Sequence, residues 1–421
     1  MVYKAPRGTS DILGTEVCLW NKIFQTSREI FKLFGFTEII TPIFEDSRLF
    51  IRSLGDTSEI VTKQMLNIQT KEKSLTLRPE GTASIIRAYL EHHLDKGRGF
   101  TKLFYIGPMF RGERPQKGRL RQFNHIGAEA IGSYSPALDA EMLVLITRLL
   151  EGFGISGYEI NLNSVGCQKD KEKLKGILKK ELENKKSGLC EDCRSRLKKN
   201  VLRILDCKNE ACRDLVQNLD FQLQFRCSSC SSHFEQVKEH LSRQDIKFKE
   251  LPYLVRGLDY YTGTVFEINH AGLGSQDALG AGGRYDNLVK ELGGPDLGAV
   301  GFALGVERLI IALESQARDT HPVKQDTIDV FVVVTKDEFL SEGLLTLAKL
   351  RNNKICADID YTNRSLKAQM RRANNENAHI VAILGEDEVK ADKVSLKDMQ
   401  TGKQETYPSE QLIDKVKELL K

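Results

Sequence analysis

The sequence predicts a multidomain α+β/α/β protein: a sheet core with helices, a small Cys-rich segment, and a C-terminal α/β domain. Three observations predict it. Leu103–Ile106 and Arg121–Ile131 are apolar runs joined by a cationic loop, the pattern of a hairpin. Seven of the nine cysteines fall between Cys167 and Cys230, in a Lys-rich stretch unlike its flanks. From Asp329 onward, strand patterns alternate with helical ones.

The elements follow in order. Val17, Leu19, Trp20, Ile23, Phe24, Ile30, Phe31 and Phe34 keep a helical period that Gly35 ends. Phe36–Phe44 reads as a strand broken by Pro42, Leu75–Leu77 as a short strand, and Thr82–Leu94 as a helix. Ser135 and Pro136 open a helix that runs to Phe153 and stops at Gly154. Tyr158–Leu162 is strand-like, and helical stretches Lys169–Lys186 and His233–Arg243 flank the cysteines. Leu251–Val255, Thr264–Ile268 and Ala299–Ala303 read as strands, and Val306–Leu313 as a helix. Glu314–Asp326 is polar, holds Pro322, and suits a linker. Beyond it lie strands Asp329–Val334, Ile355–Ile359 and His379–Leu384, an edge strand Val394–Leu396, and helices Phe339–Asn352, Ser365–Asn375 and Ser409–Leu420. Their alternation implies a largely parallel sheet.

Composition narrows the class. The 421 residues are 40% hydrophobic and 29% charged, an ordinary globular balance with room for two or three domains. The net charge of +4 permits a nucleic-acid partner without demanding one. No run approaches the ~18 apolar residues of a membrane span, and the N-terminus has no secretory pattern. A cytoplasmic protein with reduced thiols is expected.

The hairpin loop carries Arg111, Arg114, Lys117, Arg119 and Arg121 against Glu113. Arginine forks donate paired hydrogen bonds to phosphate, so this loop fits a polyanion. Cys190-x-x-Cys193 and Cys227-x-x-Cys230 suit a structural tetrahedral zinc, although Cys207 and Cys212 between them leave six candidates for four places. Lys171, Lys173, Lys175, Lys179, Lys180, Lys185 and Lys186 fit phosphate contacts, as does a C-terminal cluster of Arg364, Lys367, Arg371 and Arg372.

Five stretches in order, LRPEGTA (Leu77–Ala83), PMFRGERPQKGR (Pro108–Arg119), VRGLDYYTGTVFE (Val255–Glu267), AGGRYD (Ala281–Asp286) and GFALGVERL (Gly301–Leu309), resemble the histidyl-tRNA synthetases of class II. The resemblance runs from PRGTSD (Pro6–Asp11) to the C-terminus, apart from the Cys-rich stretch. It implies an antiparallel catalytic core in two parts, 1–166 and 250–318, an insertion at 167–249, and an anticodon-binding domain at 326–421. It implies a homodimer that uses ATP with Mg²⁺ to make histidyl-adenylate and then charges histidine tRNA. By the same resemblance, Arg111 and Arg256 would be catalytic cations at the α-phosphate, Arg256 also meeting the histidine carboxylate. Arg119, Arg308, Phe123 and Glu113 would hold the rest of ATP. Glu129 and Tyr261 would read the imidazole, while Glu80 and Thr82 would hold the α-ammonium. Gln116 and Arg121 would meet the tRNA acceptor end. His125 stands where the family commonly has Gln; its protonation would repel the ammonium, so the histidine KM is expected to rise as pH falls through the histidine range. Two rivals share the core: the regulatory subunit of ATP phosphoribosyltransferase, and a synthetase for another amino acid. The nearly complete site words and the long C-terminal segment argue against the first, and the pairing of Glu129 with Tyr261 against the second.

Overall fold

The computed structural model describes residues 3–56, 58–69, 74–96, 99–219, 225–274, 277–316 and 327–420. The chain forms two compact units, Met1–His321 and Pro322–Lys421. Most of the linker read from the sequence falls in residues 317–326, outside the described residues.

The first unit has strands β1 (Thr37–Glu38), β2 (Phe44–Asp46), β3 (Leu66–Gln69), β4 (Ser74–Leu77), β5 (Thr101–Phe110), β6 (Gln122–Ile131), β7 (Tyr158–Ser164), β8 (Lys249–Glu250), β9 (Thr262–His270), β10 (Ala278–Arg284) and β11 (Ala299–Gly305). Eight of these form one sheet in the order β1-β5-β6-β11-β10-β9-β7-β8, and β2-β4-β3 form a small second sheet. Pairing is antiparallel from β5 through to β7. The two-residue edge strands β1 and β8 pair parallel.

Strand periodicity gives this sheet two chemically different faces. Ile126, Ala128 and Ala130 of β6, Val300, Phe302 and Leu304 of β11, and Phe266 and Ile268 of β9 share one apolar core. The helices Thr15–Leu33, Pro136–Phe153 and Val306–Gln316 cover that face. Phe31 stacks on Phe104 with ring centroids 4.3 Å apart. The alternate residues, Phe123, His125 and Glu129 of β6 and Gly301, Ala303 and Gly305 of β11, line the opposite side.

Pro42 offers no N–H to a ladder, and the predicted strand Phe36–Phe44 is reduced to β1 and the start of β2. Leu251–Val255 is not a strand. The Asn163 side-chain amide donates to the carbonyls of Pro252 and Leu254, both at 2.9 Å, so a side chain takes the place of a ladder partner.

Between β7 and β8, helices Gln168–Glu183, Glu191–Lys199 and Glu210–Gln217 build their own small core from Leu174, Leu178, Leu182, Leu197, Cys212 and Val216. The helix Ser228–Ser242 instead sends Phe234, Val237 and Leu241 into the main core. It is fixed there by Asp139, which meets His233 Nε2 at 2.9 Å, the Thr264 hydroxyl at 2.6 Å and Arg284 Nε at 2.7 Å.

The second unit contains β12 (Val330–Val334), β13 (Ala357–Ile359), β14 (Ile380–Leu384), β15 (Lys393–Asp398) and β16 (Gln404–Pro408), in the order β13-β12-β14-β15-β16. The first three pair parallel and the last two antiparallel, so the sheet is mixed rather than largely parallel. β15 is not the edge: a turn in which Asp398 accepts the N–H groups of Gln400 and Thr401 returns the chain as β16.

Candidate active site

The face of the large sheet opposite the helices opens into a cleft of about 790 Å³. One end is built around Glu129, which is 1% exposed. Its carboxyl accepts from the Thr82 hydroxyl at 2.7 Å and from the Tyr285 hydroxyl. Burial pushes this carboxyl up to about 8, with the Tyr285 and Thr82 hydrogen bonds opposing. Gly301 lies across the strand pair from Glu129. A Cβ at Gly301 would run into the Glu129 carboxyl, so glycine there makes room for that group. Glu80 accepts the N–H groups of Thr82 and Ala83 at 2.7 and 2.9 Å, which anchors it at the head of the helix Thr82–Glu91. Tyr261 lines the same space, and burial raises its phenol to about 12, with Arg256 opposing. Tyr260 is a core residue packed edge-on to Tyr285. The two tyrosines directly precede β9 rather than lying in it.

The other end is cationic. Arg111 lies over the Phe123 ring, 5.3 Å from its centroid, and donates to the Pro79 carbonyl at 2.9 Å. Arg119 and Glu113 form an ion pair across the loop. Gln116 and Arg119 exchange backbone hydrogen bonds of 3.0 and 2.9 Å, so the loop tip is itself a tight turn. Gly118 sits there at φ +68°, and its carbonyl accepts from Arg308 Nε at 2.9 Å. A second Arg308 nitrogen reaches the Ala278 carbonyl at 2.6 Å. Arg256 pairs with Glu267 at 3.0 Å. Burial works to lower Arg256, but Glu267, Tyr261 and Asp206 outweigh it and its value is raised.

His125 differs from its sequence-based expectation. Burial, helped by Arg111, Arg308 and Arg78, lowers its imidazole to about 3. It is neutral at any working pH, and its buried Nδ1 has no hydrogen-bond partner among the described residues.

The cysteines also pair differently from the two-CxxC expectation. Cys190 and Cys193 gather with Cys207 and Cys212, whereas Cys227 and Cys230 gather with Cys167 and Asp170. The reason is packing: Cys193, Cys207 and Cys212 belong to the insert core, while Cys227 caps the helix that joins the main core.

Two basic sets lose members. Lys171 is buried, and its ammonium donates to the carbonyls of Asp259 and Tyr261, both at 2.9 Å. Lys175 pairs with Glu172 and Lys186 with Glu183, while Lys179 and Lys180 are exposed. Arg372 is engaged by Asp358 and Glu376, whereas Arg364, Lys367 and Arg371 are exposed. Tyr285, Tyr105, Asp206 and Lys208 line the cleft and were not singled out from the sequence. The AGGRYD stretch held the signal for Tyr285, an aromatic directly after a Gly-rich strand.

An antiparallel sheet of this order, with an arginine-lined cleft on one face and helices on the other, defines the catalytic unit of a class II aminoacyl-tRNA synthetase. The histidyl-tRNA synthetase family model matches residues 8–309, and that of the anticodon binding domain matches residues 329–419. The histidine–tRNA ligase of Halothermothrix orenii is 45% identical over 421 residues, 100% of each chain. That of Moorella thermoacetica is 46% identical over 420 residues, 98% of each chain. The crystal structure of apo S. aureus histidyl-tRNA synthetase matches with a TM-score of 0.79 at 35% identity, covering 99% of this chain and 100% of that one. The chain belongs to the histidyl-tRNA synthetase family.

Proposed function

We propose that the cleft joins histidine to MgATP as histidyl-adenylate and then passes the histidyl group to the 3′ end of its tRNA. The observation that carries this reading is the convergence of two sites in one cleft: a buried carboxyl beside Tyr261, and Arg111, Arg119, Arg256 and Arg308 around a nucleotide-sized space. A histidine carboxylate oxygen attacks the α-phosphorus and pyrophosphate leaves; a ribose hydroxyl of the tRNA then attacks the acyl carbon and AMP leaves. Both steps gather negative charge that fixed cations stabilise. Arg256 uses one edge on Glu267 and keeps further donors for the carboxylate and the α-phosphate. Arg111, braced against Phe123 and Pro79, approaches the α-phosphate from the hairpin side. Arg119 and Glu113 neutralise each other until ATP replaces both partners, phosphate for the arginine and the adenine amino group for the carboxylate. Phe123 stacks on adenine, and Arg308 closes the far side. Glu129 and Tyr261 read the two imidazole nitrogens. Glu80, Thr82 and a neutral His125 accept from the α-ammonium.

In this reading residues 1–166 and 250–318 are the catalytic core, 167–249 the insertion and 326–421 the anticodon domain. Anticodon bases meet exposed Tyr361 with Arg364, Lys367 and Arg371. Gln116 and Arg121, both exposed on the hairpin loop, face the acceptor end. A homodimer is supported by Leu33 and Ile40, 83% and 85% exposed, with Ile43 and Phe44 beside them. Among the described residues no helix is long and apolar enough to cross a membrane. Among the described residues, Cys167, Cys190, Cys193, Cys207, Cys212, Cys227, Cys230 and Cys356 are free thiols, which suits the cytoplasm.

The test is ATP–pyrophosphate exchange with each amino acid. Histidine alone should support exchange, and Arg256→Ala should lower it by about 10²–10³. Folded protein that exchanges with no amino acid would sink the reading and favour a regulatory role.

A further inference from the structure

We infer that Cys190, Cys193, Cys207 and Cys212 hold one zinc ion, and that this ion fixes residues 200–208 of the insert as a wall of the cleft. The four sulfurs lie within 4.8 Å of one another, and Cys190 Sγ is 3.9 Å from Cys207 Sγ. A tetrahedron with Zn–S bonds of about 2.3 Å has sulfur–sulfur edges of about 3.8 Å, so the cage has the right size for the ion. The Cys190 N–H donates to Cys212 Sγ at 3.2 Å, a contact that favours thiolate over thiol. Cys193, Cys207 and Cys212 are buried in a small core of short helices, where a metal substitutes for missing apolar area. The other candidate cluster is a poorer cage. Asp170 is already committed to the N–H groups of Cys167 and Cys227, at 3.2 and 3.0 Å, and Cys227 is exposed.

The placement of Cys207 links metal to catalysis. Its neighbours Asp206 and Lys208 line the cleft, and so does Cys207 itself. A few residues earlier, the Arg203 guanidinium donates to the Gly257 carbonyl, and the Asn200 amide donates to Asp259 Oδ1 at 3.3 Å. The segment clamped by the ion therefore holds two residues just after Arg256, Gly257 next to it and Asp259 two further on. This second half rests on the cleft being the site of histidine activation.

The experiment uses the full chain, purified without chelators from zinc-containing medium. Elemental analysis should give about one zinc per chain, released from wild type by a mercurial titrant and detected with a colorimetric indicator. Cys193→Ser and Cys207→Ser should lose that zinc, while Cys227→Ser keeps it. Zinc-stripped protein whose circular dichroism shows the main core intact should need about tenfold more ATP or histidine for half-maximal exchange, the size of one charge-assisted contact. Readdition of zinc should restore both. Wild type without zinc, or zinc that survives both Cys193→Ser and Cys207→Ser, would overturn the site. Unchanged KM values in stripped protein would overturn the positioning role. Metal content is read without catalysis, so zinc-loaded protein inactive with every amino acid would count against the activity alone.

Discussion

Glu129 shows how a single buried group ties pocket chemistry to stability. Its folded carboxyl titrates near 8 against an ordinary 4.5. The unfolded chain ionises first, so the stability this group contributes is full below pH 4.5 and is lost as pH rises through 8. Glu129→Gln removes that slope. Denaturant melts across this range should show wild type losing on the order of a few kcal/mol that the variant keeps. The same variant should lose about 10- to 100-fold in histidine kcat/KM, because the amide cannot accept both hydroxyls and still serve the imidazole. His125 gives the opposite expectation from the one its type suggests. With its imidazole lowered to about 3, the histidine KM should show no inflection between pH 5 and 8 that His125→Gln abolishes. Burial, which decides both values, is invisible in a residue's identity. The motif pointed to Glu129 and Tyr261, but not to Tyr285 and Thr82 as hydroxyl donors to Glu129.

At the scale of elements, the hairpin of β5 and β6 was legible, because two apolar runs, the second partly alternating, bracket a cationic loop. The cysteine partition was not, because spacing says which thiols are neighbours along a turn and not which turns meet. The mixed C-terminal sheet was missed because β16 is short, polar and exposed at three of five positions. The loop tip gives a sharp test. Arg308 spans the Gly118 and Ala278 carbonyls with two nitrogens of one rigid fork, a geometry an ammonium on a flexible stem cannot reproduce. Arg308→Lys should lower ATP kcat/KM by about 10-fold or more, while the histidine KM moves little. Gly118→Ala meets only ordinary contacts at 3.5 Å or beyond, so its cost is the left-handed backbone, about 1–2 kcal/mol. It should appear as a raised ATP KM and a slightly lower Tm.

For the whole molecule, the two units carry separate cores, which predicts separable functions. A chain ending at Gln316 should retain histidine-dependent exchange within about twofold. It should lose about 10²-fold or more in kcat/KM for tRNA, the size of a tethered second contact. Comparable tRNA charging by fragment and full chain would remove the anticodon role from the second unit.

The strand order has a consequence for synthesis. β6 must wait for β11 to cover its edge, and β7 must wait for β9, because the insert is translated in between. From Ile131 to Ala299 the ribosome adds about 170 residues, roughly 10 to 30 seconds of elongation. Throughout that interval the nascent chain carries a ten-residue, half-apolar strand edge with no neighbour on one side. Slow codons placed in the insert would lengthen this window, and aggregation during expression should track translation speed there more closely than the stability of the finished fold.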